Sequence, residues 1–227
     1  MKTLKILTLL TLMVGFQRDQ AAIWDIDKDD PSLWVKFCSD IYDQEFKSGD
    51  VPSGDELKGK SLEVADVITS ILDDFNNLPH SYLKIDLYPE DKDSPPTAEA
   101  NHSQFTKNKS KNRTIDICIQ STKNPLEGGH AQTIVENGKR IKCKIVLASS
   151  AKDKYVSFVR TITHEIGHCV GLAHNHNVST SVMSYFASED IIRLGADDRA
   201  GITSFYPKKA QDHKEQPNFG LSCTYRK

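Results

Sequence analysis

The chemistry this chain can perform is concentrated in one short run. His164, Glu165, His168, Gly171 and His174 stand in Thr-His-Glu-Ile-Gly-His-Cys-Val-Gly-Leu-Ala-His, which reads H-E-x-x-H-x-x-G-x-x-H without a mismatch. Two histidines four residues apart on a helix lie on one face, about one turn from each other, so both imidazoles can grip one ion. Glu165 is turned by about 100° from the first of them and stands beside the ion, free to act as a base. A glycine at position 171 can end the helix in a left-handed conformation at low steric cost, bringing His174 back as a third ligand. Three protein ligands leave a fourth position for water, as in a catalytic zinc site, whereas structural zinc is usually closed by four ligands, often including cysteines. A chance match of five fixed positions in a chain of this length is expected roughly once in ten thousand tries. The pattern therefore points to one hydrolytic Zn2+, held by His164, His168 and His174 with Glu165 as base. His176 lies two residues further on and is read as a solvated loop residue.

Other elements must position that run. A helix from about Asp153 to Gly171 is expected from apolar residues at Val156, Val159, Ile162, Ile166 and Val170, a stripe that anchors it while the histidines face a cleft. Upstream, Leu33 to Cys38 reads as a strand, Leu62 to Phe75 as an amphipathic helix, and Tyr82 to Leu87 and Thr114 to Ile119 as strands. Two further strands are expected at Ala131 to Val135 and Ile141 to Ala148. The polar segment from Glu90 to Arg113 reads as a long surface loop, its lysines solvated.

The chain begins with Lys2 and Lys5 ahead of an apolar run from Ile6 to Phe16, the layout of a secretory signal peptide, with Ala21 and Ala22 as small residues near a cleavage point. The run is too short to span a membrane comfortably, so no stable membrane insertion is expected. The expected organisation is a signal peptide at 1–22, one catalytic domain at 23–207 and a tail at 208–227. The product would be a monomer, secreted or periplasmic. With 29 Lys+Arg, 31 Asp+Glu and a formal net charge of −2, neither nucleic acid nor an anionic membrane is suggested as a partner. Five cysteines in an exported chain leave at least one free or paired between molecules. Cys169 flanks the apolar stripe and is read as a buried thiol, while spacing does not determine how Cys38, Cys118, Cys143 and Cys223 pair. Sequons stand at Asn101, Asn108, Asn112 and Asn177 and matter only in a eukaryotic secretory route.

The extended histidine motif, followed by Ser181-Val182-Met183-Ser184-Tyr185, resembles the metzincin zinc proteases. The resemblance implies an α+β fold: a twisted, mixed five-stranded sheet with packed helices, an active-site helix, a Met-turn at Met183 beneath the zinc histidines, and a C-terminal helix. Tyr185 matches the tyrosine that in serralysin-like and astacin-like members approaches the zinc and helps hold the oxyanion. Matrixin-like members with a similar turn do not use it so, and a tyrosine buried with its hydroxyl paired is the alternative. Leu194 to Pro207 is similar to the closing helix of matrixin catalytic domains, with Asp197 or Asp198 as a cap and Asp198 as a brace for the active-site floor.

Gly128 to Thr133 occupies the place of the edge strand that would pair with an extended protein or peptide substrate, and Asn175 to Phe186 would contribute a wall. His130 is read there as a rim residue. No matrixin-type cysteine switch and no Gly-Gly-x-Gly-x-Asp repeat is present, and structural Ca2+ is not readable from the residues. The implied activity is that of a zinc metalloendopeptidase. An exported zinc-binding module on a protease fold, or a zinc hydrolase of a non-peptide amide, are the rival readings.

Overall fold

The computed structural model describes residues 22–38, 46, 51, 62–88, 113–120, 128–148, 154–175 and 177–208, without the side chains of 119 and 120. The signal-peptide run, the lysine-rich part of the surface loop, His176, Cys223 and the sequons at Asn101, Asn108 and Asn112 lie outside these residues. In chain order the elements are β1 (Ile23–Trp24), β2 (Ser32–Phe37), α1 (Val64–Asn76), β3 (Lys84–Leu87), β4 (Thr114–Gln120), β5 (Gly129–Glu136), β6 (Lys139–Ala148), α2 (Tyr155–Val170) and α3 (Ala196–Phe205).

The alternation of strand β2 explains its place: Leu33, Val35 and Phe37 are buried, while Trp34 and Lys36 lie on the other face, where Trp34 meets Tyr88 edge-on and Lys36 sits over its ring. Strands run in the order β1-β6-β4-β2-β3, all parallel, with β5 antiparallel to β6. The sheet is thus mixed, as expected, but has six strands and not five. The additional one, β1, is two residues long, too short for alternation to reveal it. Asn137 and Gly138, both at positive φ, turn β5 into β6; this Asn-Gly pair is the sequence signal of a tight hairpin.

Helix α1 turns Val64, Val67, Ile68, Ile71, Leu72 and Phe75 inward at helical spacing. Its Asn76 side chain meets both backbone groups of Ile85, at 2.8 Å each, fixing the helix to strand β3. Helix α2 buries Val159, Ile162, Ile166 and Val170 against the same core, with Val156 half-buried, so the expected stripe is the anchoring one. None of the described helices is long and apolar enough to cross a membrane.

The expectation of a free thiol at Cys169 is overturned. Cys169 is disulfide-bonded to Cys143 of β6, and Cys38 to Cys118, with Cα–Cα distances of 5.7 Å and 4.9 Å. The apolar flank that suggested a thiol faces strand β6, and Cys143 points out of that strand toward it, an encounter the helical period could not reveal.

Candidate active site

Helix α2 carries His164 and His168 on its cleft face, and its end is set by Gly171, whose φ of 113° is open to glycine and strained for any other residue. The Leu172 N–H closes on the Gly167 carbonyl at 2.9 Å, a Schellman-type reversal that sends the chain back toward the helix. His174 thereby joins the other two: the three Nε2 atoms lie 3.0 to 3.2 Å from one another. A tetrahedral ion at about 2.0 to 2.1 Å from each nitrogen would hold its ligands about 3.3 Å apart, so the triad fits zinc.

The outer nitrogens are also engaged. His164 Nδ1 meets the Val182 carbonyl at 2.8 Å, His168 Nδ1 the Leu172 carbonyl at 2.9 Å, and His174 Nδ1 the Tyr185 hydroxyl at 3.0 Å. The carbonyls accept only from a protonated Nδ1, which leaves the Nε2 lone pairs of His164 and His168 facing the common centre. Burial lowers the pKa of both rings, that of His168 to about 4, keeping them in the neutral form a metal requires.

Glu165 is almost fully buried, and burial raises its pKa to about 7, opposed by a hydrogen bond from the Ala131 N–H of strand β5. Its Oε2 has no hydrogen-bond partner among the described residues. An unpaired, buried carboxylate oxygen next to a nitrogen triad is costly unless something polar meets it, a demand that a metal and its water satisfy.

Beneath the triad, Met183 is buried, and a Cβ at Gly167 would come within 2.5 Å of its sulfur, so the helix lies directly on this side chain. Asp198 of α3 is buried too. It accepts from the Ser181 hydroxyl and from the backbone N–H groups of Val182, at 2.8 Å, and Gly195, at 2.9 Å. One carboxylate therefore caps α3 and holds the residue whose carbonyl orients His164. Asp197 instead meets Asn175 at the surface.

The triad opens into a cleft of about 690 Å³, bounded by Gly128 to Ala131, Arg160, Thr161, Glu165, Ser184 and Tyr185. His130 lines it with its ring against Gln132 and is not among the triad. The matrixin family model matches residues 17–207. The chain belongs to the matrixins. No curated protein matches it. Membership makes the enzyme a zinc metalloendopeptidase, a hydrolase of peptide bonds on the metzincin fold.

Sequence reasoning missed the device that finishes the active-site helix of this matrixin. The last carbonyls of a helix have no partner within it. Here Arg140 of β6 donates to those of His168 and Cys169, the Trp24 indole to that of Cys169 at 2.7 Å, and the Tyr206 hydroxyl to that of Val170 at 2.9 Å. Trp24, Arg140 and Tyr206 are all buried. A cation at this end also favours the helix dipole. Only the rarity of a buried arginine hints at this, and burial cannot be read from an isolated Lys-Arg pair at positions 139 and 140.

Proposed function

We propose that this matrixin is a secreted endopeptidase in which His164, His168 and His174 hold the zinc and Glu165 is the general base. The observation that carries the reading is the convergence of three Nε2 atoms beside a buried carboxylate oxygen that has no partner among the described residues. When bound, zinc supplies Lewis acidity, acidifying a water and polarising the carbonyl of the scissile bond. Glu165 takes a proton from the attacking water and passes it to the leaving nitrogen.

Strand β5 pairs with β6 alone among the described residues, so its outer edge can receive an extended peptide and place a carbonyl over the site. The Ala131 N–H from the same strand holds Glu165, linking the base to the substrate platform. Tyr185 stands exposed at the cleft and is the donor offered to the oxyanion, a type of contact worth about 3 to 4 kcal/mol where single donors have been removed from other enzymes. Secretion is supported by the basic and apolar start of the chain.

The decisive experiment is cleavage of a denatured protein by wild type and Glu165→Gln, each with zinc counted. We expect chelator-sensitive cleavage by wild type, and in the variant one bound zinc with turnover lower by at least a thousandfold. Retained activity in the zinc-loaded variant refutes the assignment of the base. A zinc-loaded wild type that cleaves only small amides, or nothing, favours the non-peptide hydrolase or the binding module.

A further inference from the structure

The cleft contains a cation that the hydrolytic chemistry leaves unused. Arg160 stands four residues before His164, so Arg160, His164 and His168 follow one another along one face of α2, about one turn apart. It is half-buried and borders the same cleft as the triad and Glu165. A guanidinium has five N–H donors in a fixed fork. Among the described residues the one hydrogen bond of Arg160 runs from Nη2 to the Ala187 carbonyl at 3.2 Å, and no carboxylate forms an ion pair with it. That contact ties the helix to the chain just beyond Tyr185 and Phe186, the opposite wall, and holds the charge inside the cleft.

Four of the residues lining the same space, Gly128, Gly129, Ala131 and Thr161, are small, and the first two press so closely on Thr161 that a Cβ at either would come within 2.9 Å of its side chain. Among the described residues, the narrow side of the cleft offers no acidic group to Arg160. Glu165 is the lone carboxylate among the described residues of the lining, where it accepts from the Ala131 N–H and forms no ion pair with Arg160. A partly desolvated guanidinium with spare donors is matched by a carboxylate in two-point contact.

We propose that Arg160 is a specificity-determining residue that selects peptides carrying a glutamate or aspartate directly beside the scissile bond. This rests on the endopeptidase reading and adds the substrate class. Arg160 binds the side-chain carboxylate while strand β5 binds the backbone of the same peptide. The charge acts on binding and positioning of the substrate and takes no part in bond breaking.

The test uses matched peptides, amidated at the C-terminus so that no terminal carboxylate competes, with Glu, Gln or Lys at each of the two positions flanking one scissile bond. Wild type should cleave the Glu peptide at least tenfold better in kcat/KM than its Gln partner at one of those positions, with the advantage shrinking as salt is raised. In Arg160→Met the Glu-to-Gln ratio should fall to near one. Arg160→Lys should retain part of it, and Arg160→Glu should turn the preference toward Lys. Equal cleavage of Glu and Gln peptides by wild type, or an unchanged ratio in Arg160→Met, overturns the proposal and leaves the endopeptidase intact. Absence of chelator-sensitive cleavage of every peptide and of a denatured protein overturns the endopeptidase reading and this proposal with it.

Discussion

Asp198 offers a graded test of how the floor of the site supports the metal. Its carboxylate receives the Ser181 hydroxyl and two backbone N–H groups, of Val182 and Gly195, and is 2% exposed. Asp198→Asn preserves the shape. Its amide oxygen can still accept both backbone donors, while the Ser181 hydroxyl, which also accepts from the Met183 N–H, reverses its role toward the new NH2. All three charge-assisted hydrogen bonds then become neutral ones, each weaker by about 1 kcal/mol, giving a loss of about 3 kcal/mol.

Asp198→Ala leaves three donors without an acceptor, at about 1 to 3 kcal/mol each, so a loss of about 3 to 6 kcal/mol is expected once some water enters. That is a large share of the 5 to 15 kcal/mol typical of a domain. Because Val182 also accepts from His164 Nδ1, the damage should reach the metal, with zinc affinity falling about 10- to 100-fold in the alanine variant. Urea unfolding of the chelated proteins, followed by competition of zinc against a chromophoric chelator, measures both quantities. Variants within 1 kcal/mol of wild type that bind zinc equally well would refute this account of the floor.

Two further outcomes are expected. Glu165 has a folded-state pKa raised from 4.5 to about 7, so the metal-free native state holds its proton more tightly than the unfolded chain does. The resulting stabilisation is present at low pH and lost as pH rises through 7, which makes metal-free Glu165→Gln more stable than metal-free wild type by up to about 3 kcal/mol above pH 7. The gap should close below pH 4.5, and thermal unfolding across that range would disprove it if the gap were absent or reversed. Removing the disulfide in Cys143→Ala/Cys169→Ala opens a link of sequence separation 26 and should cost about 3.5 kcal/mol on chain entropy, read as the fall in unfolding free energy extrapolated to zero denaturant, with a steeper slope as the opened unfolded chain exposes more surface.

What the sequence disclosed and what it withheld follow one physical line. The H-E-x-x-H spacing, the Gly171 reversal and the stripes of α1 and α2 are local, set by one helical period, and each reappears within a residue or two of its expected bounds. Strand β2 was legible for the same reason, since Leu33, Val35 and Phe37 alternate with Trp34 and Lys36 and leave little choice of face. Strand β1, the Cys143–Cys169 bond and the cluster of Trp24, Arg140 and Tyr206 join parts of the chain far apart in sequence, and neither period nor composition encodes which distant residue arrives. Met183 and Asp198 fall between these cases: their segments were recognisable by resemblance, while their contacts with Gly167 and Val182 came only from packing.

The way α2 is finished also bears on when proteolytic capability can arise during the life of the chain. Trp24 and Tyr206, which meet at 3.4 Å through the Trp24 N–H and the Tyr206 hydroxyl, are 182 residues apart, and both terminate the helix that presents His168. A nascent chain that has already produced the whole histidine motif still lacks Tyr206, and its helix end retains an unmet carbonyl at Val170. Closing so long a span is a late, slow event in folding. The polypeptide thus carries its complete histidine motif through the last stretch of the domain's synthesis without the finished scaffold that would align it, and alignment arrives only when both ends of the domain have met.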